Sequence, residues 1–178
     1  MEPSPELFSN PQMDLQALPK AESQVMISLE PAFKTVRYLG AVLFGAALMI
    51  AAALVLFFKP DLGIYGVTGF GMITLMAIWN VVYQGIAFPY MTYAVREKDI
   101  TYQSGWLWKS MTTVPFNRVQ HCDIRQGLLD RQFGLAKLTI YTAGGQNTDV
   151  EIPGLLPDTA ERLKTFILRA TELSIENE

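Results

Sequence analysis

YLGAVLFGAALMIAAALVLFF, residues 38–58, is a run of 21 residues without a charge, bounded by Arg37 and Lys59. As a helix it measures about 30 Å, the thickness of a bilayer's hydrocarbon core. The alternative is a helix buried in a soluble core, but the run reaches membrane length and has almost no polar face, so it reads as a membrane span. A second uncharged run, Leu62 to Val95, holds 34 residues and is too long for one span. Its membrane helix is expected at about residues 64–86, with the remainder at the interface and in a first strand. Lys59-Pro60-Asp61-Leu62-Gly63 between them has the composition of a tight turn. The two runs form a two-helix transmembrane hairpin.

Outward from the hairpin the chain is ordinary. Half of its 178 residues are hydrophobic and 17% are charged, against about 25% for a soluble domain. The deficit is local, because Lys59 and Asp61 are the only charges from Tyr38 to Val95. A single cysteine excludes a disulfide scaffold, and a net charge of −3 excludes a general nucleic-acid binder. Residues 1–37 are a polar tail and pre-membrane segment with Pro3, Pro5, Pro11 and Pro19. The apolar stretch starts too late and runs too long for a cleaved signal peptide, so the first span is expected to act as an uncleaved anchor. Residues 1–24 read as a flexible tail, and Val25–Leu29 as either a short strand or an interfacial segment. Lys34 and Arg37 precede the hairpin, and Arg96, Lys98 and Lys109 follow it, while the turn carries only Lys59. That bias is expected to put both termini of a two-pass protein in the cytoplasm.

Small residues cluster within residues 38–90. Ala41 and Gly45 have the small-x-x-x-small spacing that lets helices approach closely, either within the hairpin or against another membrane protein. Asn80 and Gln84 share one helical face near the inner boundary, as hydrogen-bonding glue for a partner or as headgroup-level residues. Trp79, Tyr83, Phe88 and Tyr90 read as an aromatic belt. Neither span holds an ionisable Asp, Glu, Lys, Arg or His, which argues against a self-contained transporter.

In residues 91–178 the period becomes alternating. Tyr93, Val95, Ile100 and Tyr102 flank the charged tip Arg96-Glu97-Lys98-Asp99, a hairpin pattern. Further strands are expected at Gly105–Thr113, Phe116–Gln126, Leu135–Thr142 and Thr148–Pro153, with turns at Pro115, Gly127, Gly134 and Gly144-Gly145. Six short strands argue a small antiparallel sheet curling into a barrel or sandwich. Asp158 to about Glu176 reads as a helix with an apolar stripe of Leu163, Phe166, Ile167, Ala170 and Leu173, started by Pro157.

The blocks Ile100–Trp106, Thr112–His121 (TTVPFNRVQH), Gly127–Ala136 (GLLDRQFGLA), Tyr141–Gly145 and Ile152–Leu155 resemble the bacterial pleckstrin-homology-like family often called YdbS-like. The resemblance covers about residues 91–155, and an upstream two-span hairpin is usual in that family. It implies a bent sheet closed by a C-terminal helix, giving an α+β membrane protein overall. It marks Pro115, Arg118, Gln120, Asp130, Arg131, Gly134, Gly144 and Gly145 as structural motif residues. It also implies a neighbouring larger relative with several such domains, and for a few members a link to protection against membrane-active peptides.

Candidate chemistry is sparse. His121 and Cys122 are adjacent, so in a strand they point to opposite faces and form neither a catalytic pair nor a zinc site. Asp123 shares a face with His121 but has no nucleophile beside it. Gly144-Gly145 lacks the spacing of a phosphate loop. Lipid-gripping pleckstrin-homology domains use basic residues near the first hairpin, whereas this tip is charge-neutral, and Arg96 onward carries 10 basic and 11 acidic residues. Arg118 and the Asp130-Arg131 pair are instead expected to tie loops together. Trp106 and Trp108, two apart on one strand face, either pack the core or form an apolar surface near the membrane or a partner. The sequence thus leads to a non-enzymatic protein without metal or cofactor. Its domain is expected to contact a related multi-domain membrane protein or another copy of itself, with Trp106, Trp108, Asn80 and Gln84 as candidate contacts. The alternative is a membrane-stress or peptide-resistance factor that binds lipid or peptide.

Overall fold

The computed structural model describes residues 25–143 and 149–176, with side chains up to residue 173. The tail at residues 1–24 and the Gly144-Gly145 turn lie outside these residues. The chain opens with a two-residue strand, β1 (Ile27–Ser28), which resolves the strand-or-interface alternative in favour of a strand. Pro31 then starts α1 (Pro31–Phe58), its fixed φ suiting the first helical position. Pro60 ends the α-helix after Phe58 and leads a single 3₁₀ turn, Pro60–Leu62. Gly63, at φ +51°, reverses the chain into α2 (Gly63–Ala87). Both helices are long and apolar enough to cross a membrane. The α1 helix is 28 residues long, about 42 Å, and its two charged residues, Lys34 and Arg37, both lie in its first two turns.

The two helices pack on their small residues. Ala41, Gly45 and Gly66 are buried, and a Cβ on Gly45 would stand 3.1 Å from that of Ala77. The small-residue spacing is therefore occupied inside the hairpin.

Beyond a short turn at Phe88–Tyr90, strands β2 (Thr92–Val95), β3 (Asp99–Ser104) and β4 (Ser110–Pro115) form an antiparallel sheet with β1, in the order β1-β2-β3-β4. A second sheet is built from β5 (Val119–Arg125), β6 (Ala136–Thr142) and β7 (Val150–Leu155), and α4 (Pro157–Glu176) closes the domain. The result is α+β, with seven strands among the described residues where six were expected.

The register of the second sheet sorts its residues cleanly. Cys122, Ile140 and Val150 form one cross-strand row, and Ile124, Leu138 and Ile152 the next. These rows line the core with Ile100, Val114, Phe116 and Leu155. From α4, Ala160 and Ile167 are fully buried there, while Phe166 and Leu173 are exposed, so the helix buries a narrower stripe than its sequence suggests. Phe166 still meets the Phe116 ring edge-on at 5.8 Å. The opposite sheet face carries Asp123, Thr139 and Glu151 in register, with a Lys137–Glu151 ion pair at 2.8 Å.

Three sequence readings are corrected. The strand expected at Gly105–Thr113 begins only at Ser110: Gly105, at φ +95°, turns the chain, and Gly105–Lys109 is a bent loop. Trp106 and Trp108 therefore do not lie on a strand. The strand expected from Phe116 starts at Val119, after one 3₁₀ turn, Phe116–Arg118. A five-residue helix, α3 (Leu128–Gln132), stands where only turns were read.

Leu29 is 3% exposed and belongs to the domain core, although it precedes α1 by only two residues. Leu29→Ala should lower the stability of the detergent-solubilised protein by about 2–5 kcal/mol. Ile27→Ala, at a half-exposed position, should cost far less. Thermal unfolding followed by circular dichroism distinguishes the two, and equal effects would contradict the burial of Leu29.

Candidate functional site

The most connected region is where the hairpin meets the domain. Ile27 and Ser28 pair with Tyr93 and Thr92, and the Glu30 N–H donates to the Gly154 carbonyl at 3.1 Å. Gly154 has φ +66°, and its missing side chain leaves the space that the Phe33 ring fills, since a Cβ there would meet that ring at 2.5 Å. One turn further, the Arg37 guanidinium lies over Phe33 at 6.0 Å. Its Nε and one terminal nitrogen donate to Gln84 Oε1 at 2.8 and 2.5 Å, and the other terminal nitrogen contacts the Met91 sulfur. Arg37 thus ties the start of the first span to the end of the second and to the entry of β2. Half-buried Tyr102 belongs to the same cluster. Burial pushes its hydroxyl up to about 12, opposed by Arg37 and reinforced by Glu151.

Of the two polar residues picked on α2, Gln84 is thus engaged within the chain. Asn80 does not join it; it lines a shallow apolar groove of about 540 Å³ with Leu75, Met76, Trp79 and Tyr83. Trp106 and Trp108 sit on the β3–β4 loop, 36% and 81% exposed, so Trp108 is no core residue.

The motif residues act mainly through the backbone. Pro115 ends the edge strand β4, where its lack of an N–H is tolerated. Arg118 is exposed, and its carbonyl accepts the Ala143 N–H at 3.1 Å. Gln120 is exposed within the β5 register shift between Val119 and His121. Asp130 does tie its loop: its carboxylate accepts the Gly127 N–H at 3.1 Å and its carbonyl accepts the Leu135 N–H at 2.7 Å. Gly134, at φ +63°, makes that reversal. Among the described residues the guanidinium groups of Arg118 and Arg131 show no hydrogen bond, while the Asp130 carboxylate holds the Gly127 N–H.

His121 and Cys122 take opposite faces. The imidazole stacks on Tyr141 with ring centroids 4.2 Å apart, while Cys122 is buried. Asp123 pairs with Arg125 at 3.2 Å rather than with His121, and Arg125 also reaches the Tyr141 hydroxyl at 2.8 Å. Among the described residues no cluster of three His, Cys, Asp or Glu could hold a metal ion. At the first hairpin tip, Arg96 grips Asp99 through two bonds of 2.8 and 2.9 Å, so this cation already has its carboxylate.

The junction was hidden from sequence reading. Arg37 counted only as a topology signal, and nothing local links it to Gln84, 47 positions away. The one available clue was Ile27 and Leu29, apolar residues just before a helix-starting proline.

Burial pushes the Cys122 thiol from 9.0 up to about 11, with Lys164 opposing the rise and Asp123 adding to it. The folded state therefore holds this proton more tightly than the unfolded chain. Its contribution to stability is complete below pH 9 and is lost as pH rises through about 11. Tyr102 acts in the same direction between 10 and about 12. Melting temperature should fall across this alkaline window, and Cys122→Ala should flatten the part between pH 9 and 11. An identical alkaline slope in the variant would contradict the assignment.

Comparison with known proteins agrees with this architecture. Residues 35–171 match the Bacterial PH domain family. The chain is 38% identical over 82 residues to the UPF0699 transmembrane protein YdbS of Bacillus subtilis (strain 168), covering 46% of this chain and 50% of that one. It is 27% identical over 93 residues to the UPF0699 transmembrane protein YdbT of the same organism, covering 51% of this chain and 18% of that one. The chain thus spans half or less of the length of these relatives. No solved structure matches it.

Proposed function

This chain belongs to the bacterial PH domain family, and from that premise we propose that it works without catalysis, as a membrane-held module whose domain contacts a related, larger membrane protein. It is a membrane protein with two apolar spanning helices and a PH-like domain. In this reading it lies in the bacterial cytoplasmic membrane with both termini inside, in keeping with Lys34, Arg37, Arg96, Lys98 and Lys109 on the domain side.

The observation that carries the reading is the pair of relatives. YdbS and YdbT come from one organism, and the matched shares make the second about three times the length of the first. A short and a long relative that each match about half of this chain are natural candidates for pairing. On this chain β4 offers a surface for such a contact. It is the outer strand of its sheet, and Ser110 to Thr113 are exposed along it. An open edge accepts a strand from a partner through main-chain hydrogen bonds. Against capture of lipid headgroups by the first hairpin stands the closed Arg96–Asp99 pair.

Mild-detergent purification from a cell that also makes a long relative, followed by mass analysis, should recover the two together. Thr112→Lys, which puts a charge on the open edge, should cut that recovery by about tenfold, equivalent to roughly 1.4 kcal/mol, without moving the melting temperature. Elution of the wild-type chain alone, or as a homogeneous self-oligomer, would overturn the proposal.

A further inference from the structure

The loop between β3 and β4 reads Gly105-Trp106-Leu107-Trp108-Lys109, and its three apolar side chains are 36%, 60% and 81% exposed in chain order. The strand register fixes which end of the sheet it occupies. The chain leaves α2, turns at Phe88–Tyr90, and enters β2 at Thr92, so β2 leads away from the membrane and β3 returns toward it. Gln103 stands opposite Thr92, and the loop begins two residues later. With neighbouring strands about 4.8 Å apart, the loop lies within about 10 Å of the start of β2, five residues after the end of α2.

Depth agrees with this placement. The seven residues of α1 before Tyr38 form a stem of about 10 Å, and the headgroup layer is about 5–8 Å deep. A loop that reaches back from the sheet end by about 2–5 Å therefore enters that layer. The two ends of the sheet also differ in chemistry. The far tip is Arg96-Glu97-Lys98-Asp99, four charges in a row, whereas the near loop is two tryptophans and a leucine followed by Lys109. Tryptophan favours the headgroup level of a bilayer, and lysine the anionic surface beside it. The turn is also constrained. A Cβ on Gly105 would collide with the Trp108 carbonyl oxygen, so the backbone folds tightly here and displays the side chains outward.

We propose that Trp106, Leu107 and Trp108 insert into the headgroup region of the same bilayer that the hairpin spans, giving the domain a third membrane attachment besides α1 and α2. This assignment uses a different surface from the β4 edge and stands or falls independently of it.

The test uses the full-length chain carrying Trp79→Phe, which leaves Trp106 and Trp108 as the emitting indoles. The protein is reconstituted alone into phosphatidylcholine–phosphatidylglycerol vesicles. Lipids brominated high on the acyl chain should quench more than half of the emission, lipids brominated near the chain end should quench little, and aqueous acrylamide should have poor access. A further Trp108→Phe change should leave a smaller signal, still quenched by the shallow lipid, from Trp106. Emission open to acrylamide and untouched by brominated lipid would overturn the proposal. So would emission shielded from both quenchers, which would mean that the indoles are buried against protein.

Discussion

The structure depends on one constraint: the segment that leads into the first membrane span also belongs to the sheet domain. Residues 27–37 add a strand to β2, bury Leu29 in the domain core, and fill the space above Gly154 with the Phe33 ring. Four residues later Arg37 joins Gln84 and Met91. Because α1 continues without a break from Pro31 to Phe58, these contacts transmit the sheet's orientation directly to the membrane helix. At the other exit, α2 passes into β2 through a single turn at Phe88–Tyr90. Two short connections and a buried contact leave little freedom for the domain to swing.

That arrangement gives meaning to otherwise plain features. The small residues Ala41, Gly45 and Ala77 hold the helices close, so that the two exits emerge side by side beneath one sheet. Among the described residues the guanidinium of Arg37 is held by a neutral carboxamide and an aromatic face rather than by a carboxylate. Such partners satisfy its donors at the membrane boundary without bringing a second charge into a region of low polarity.

Much of this was legible in the sequence, for physical reasons. The spans were visible because two uncharged runs reach membrane length and carry almost no polar face, which a helix surrounded by lipid does not need. The second sheet was visible because Leu138 and Ile140 alternate with Thr139 and Tyr141, a period that belongs to a half-buried strand. The same rule misled at Trp106 and Trp108: their spacing of two mimics a strand, while the bend is set by Gly105. The α3 helix has five residues, too few to show a helical period. The Arg37–Gln84 contact joins residues from two different helices and leaves no local pattern at all. Gly134 has φ +63°, a conformation that a glycine in the motif makes readable, whereas a long-range side-chain contact leaves no such mark in the sequence.

The central claim is that hairpin and domain form one body. Spin labels at position 75, on the lipid-facing side of α2, and at position 97, at the far tip of the first hairpin, bracket the junction. Pulsed electron resonance on the vesicle-reconstituted protein, with Cys122 replaced by Ala, should give a single narrow distance distribution. It should broaden when Phe33 and Arg37 are both changed to Ala. A broad distribution in the protein with its junction intact would contradict the account.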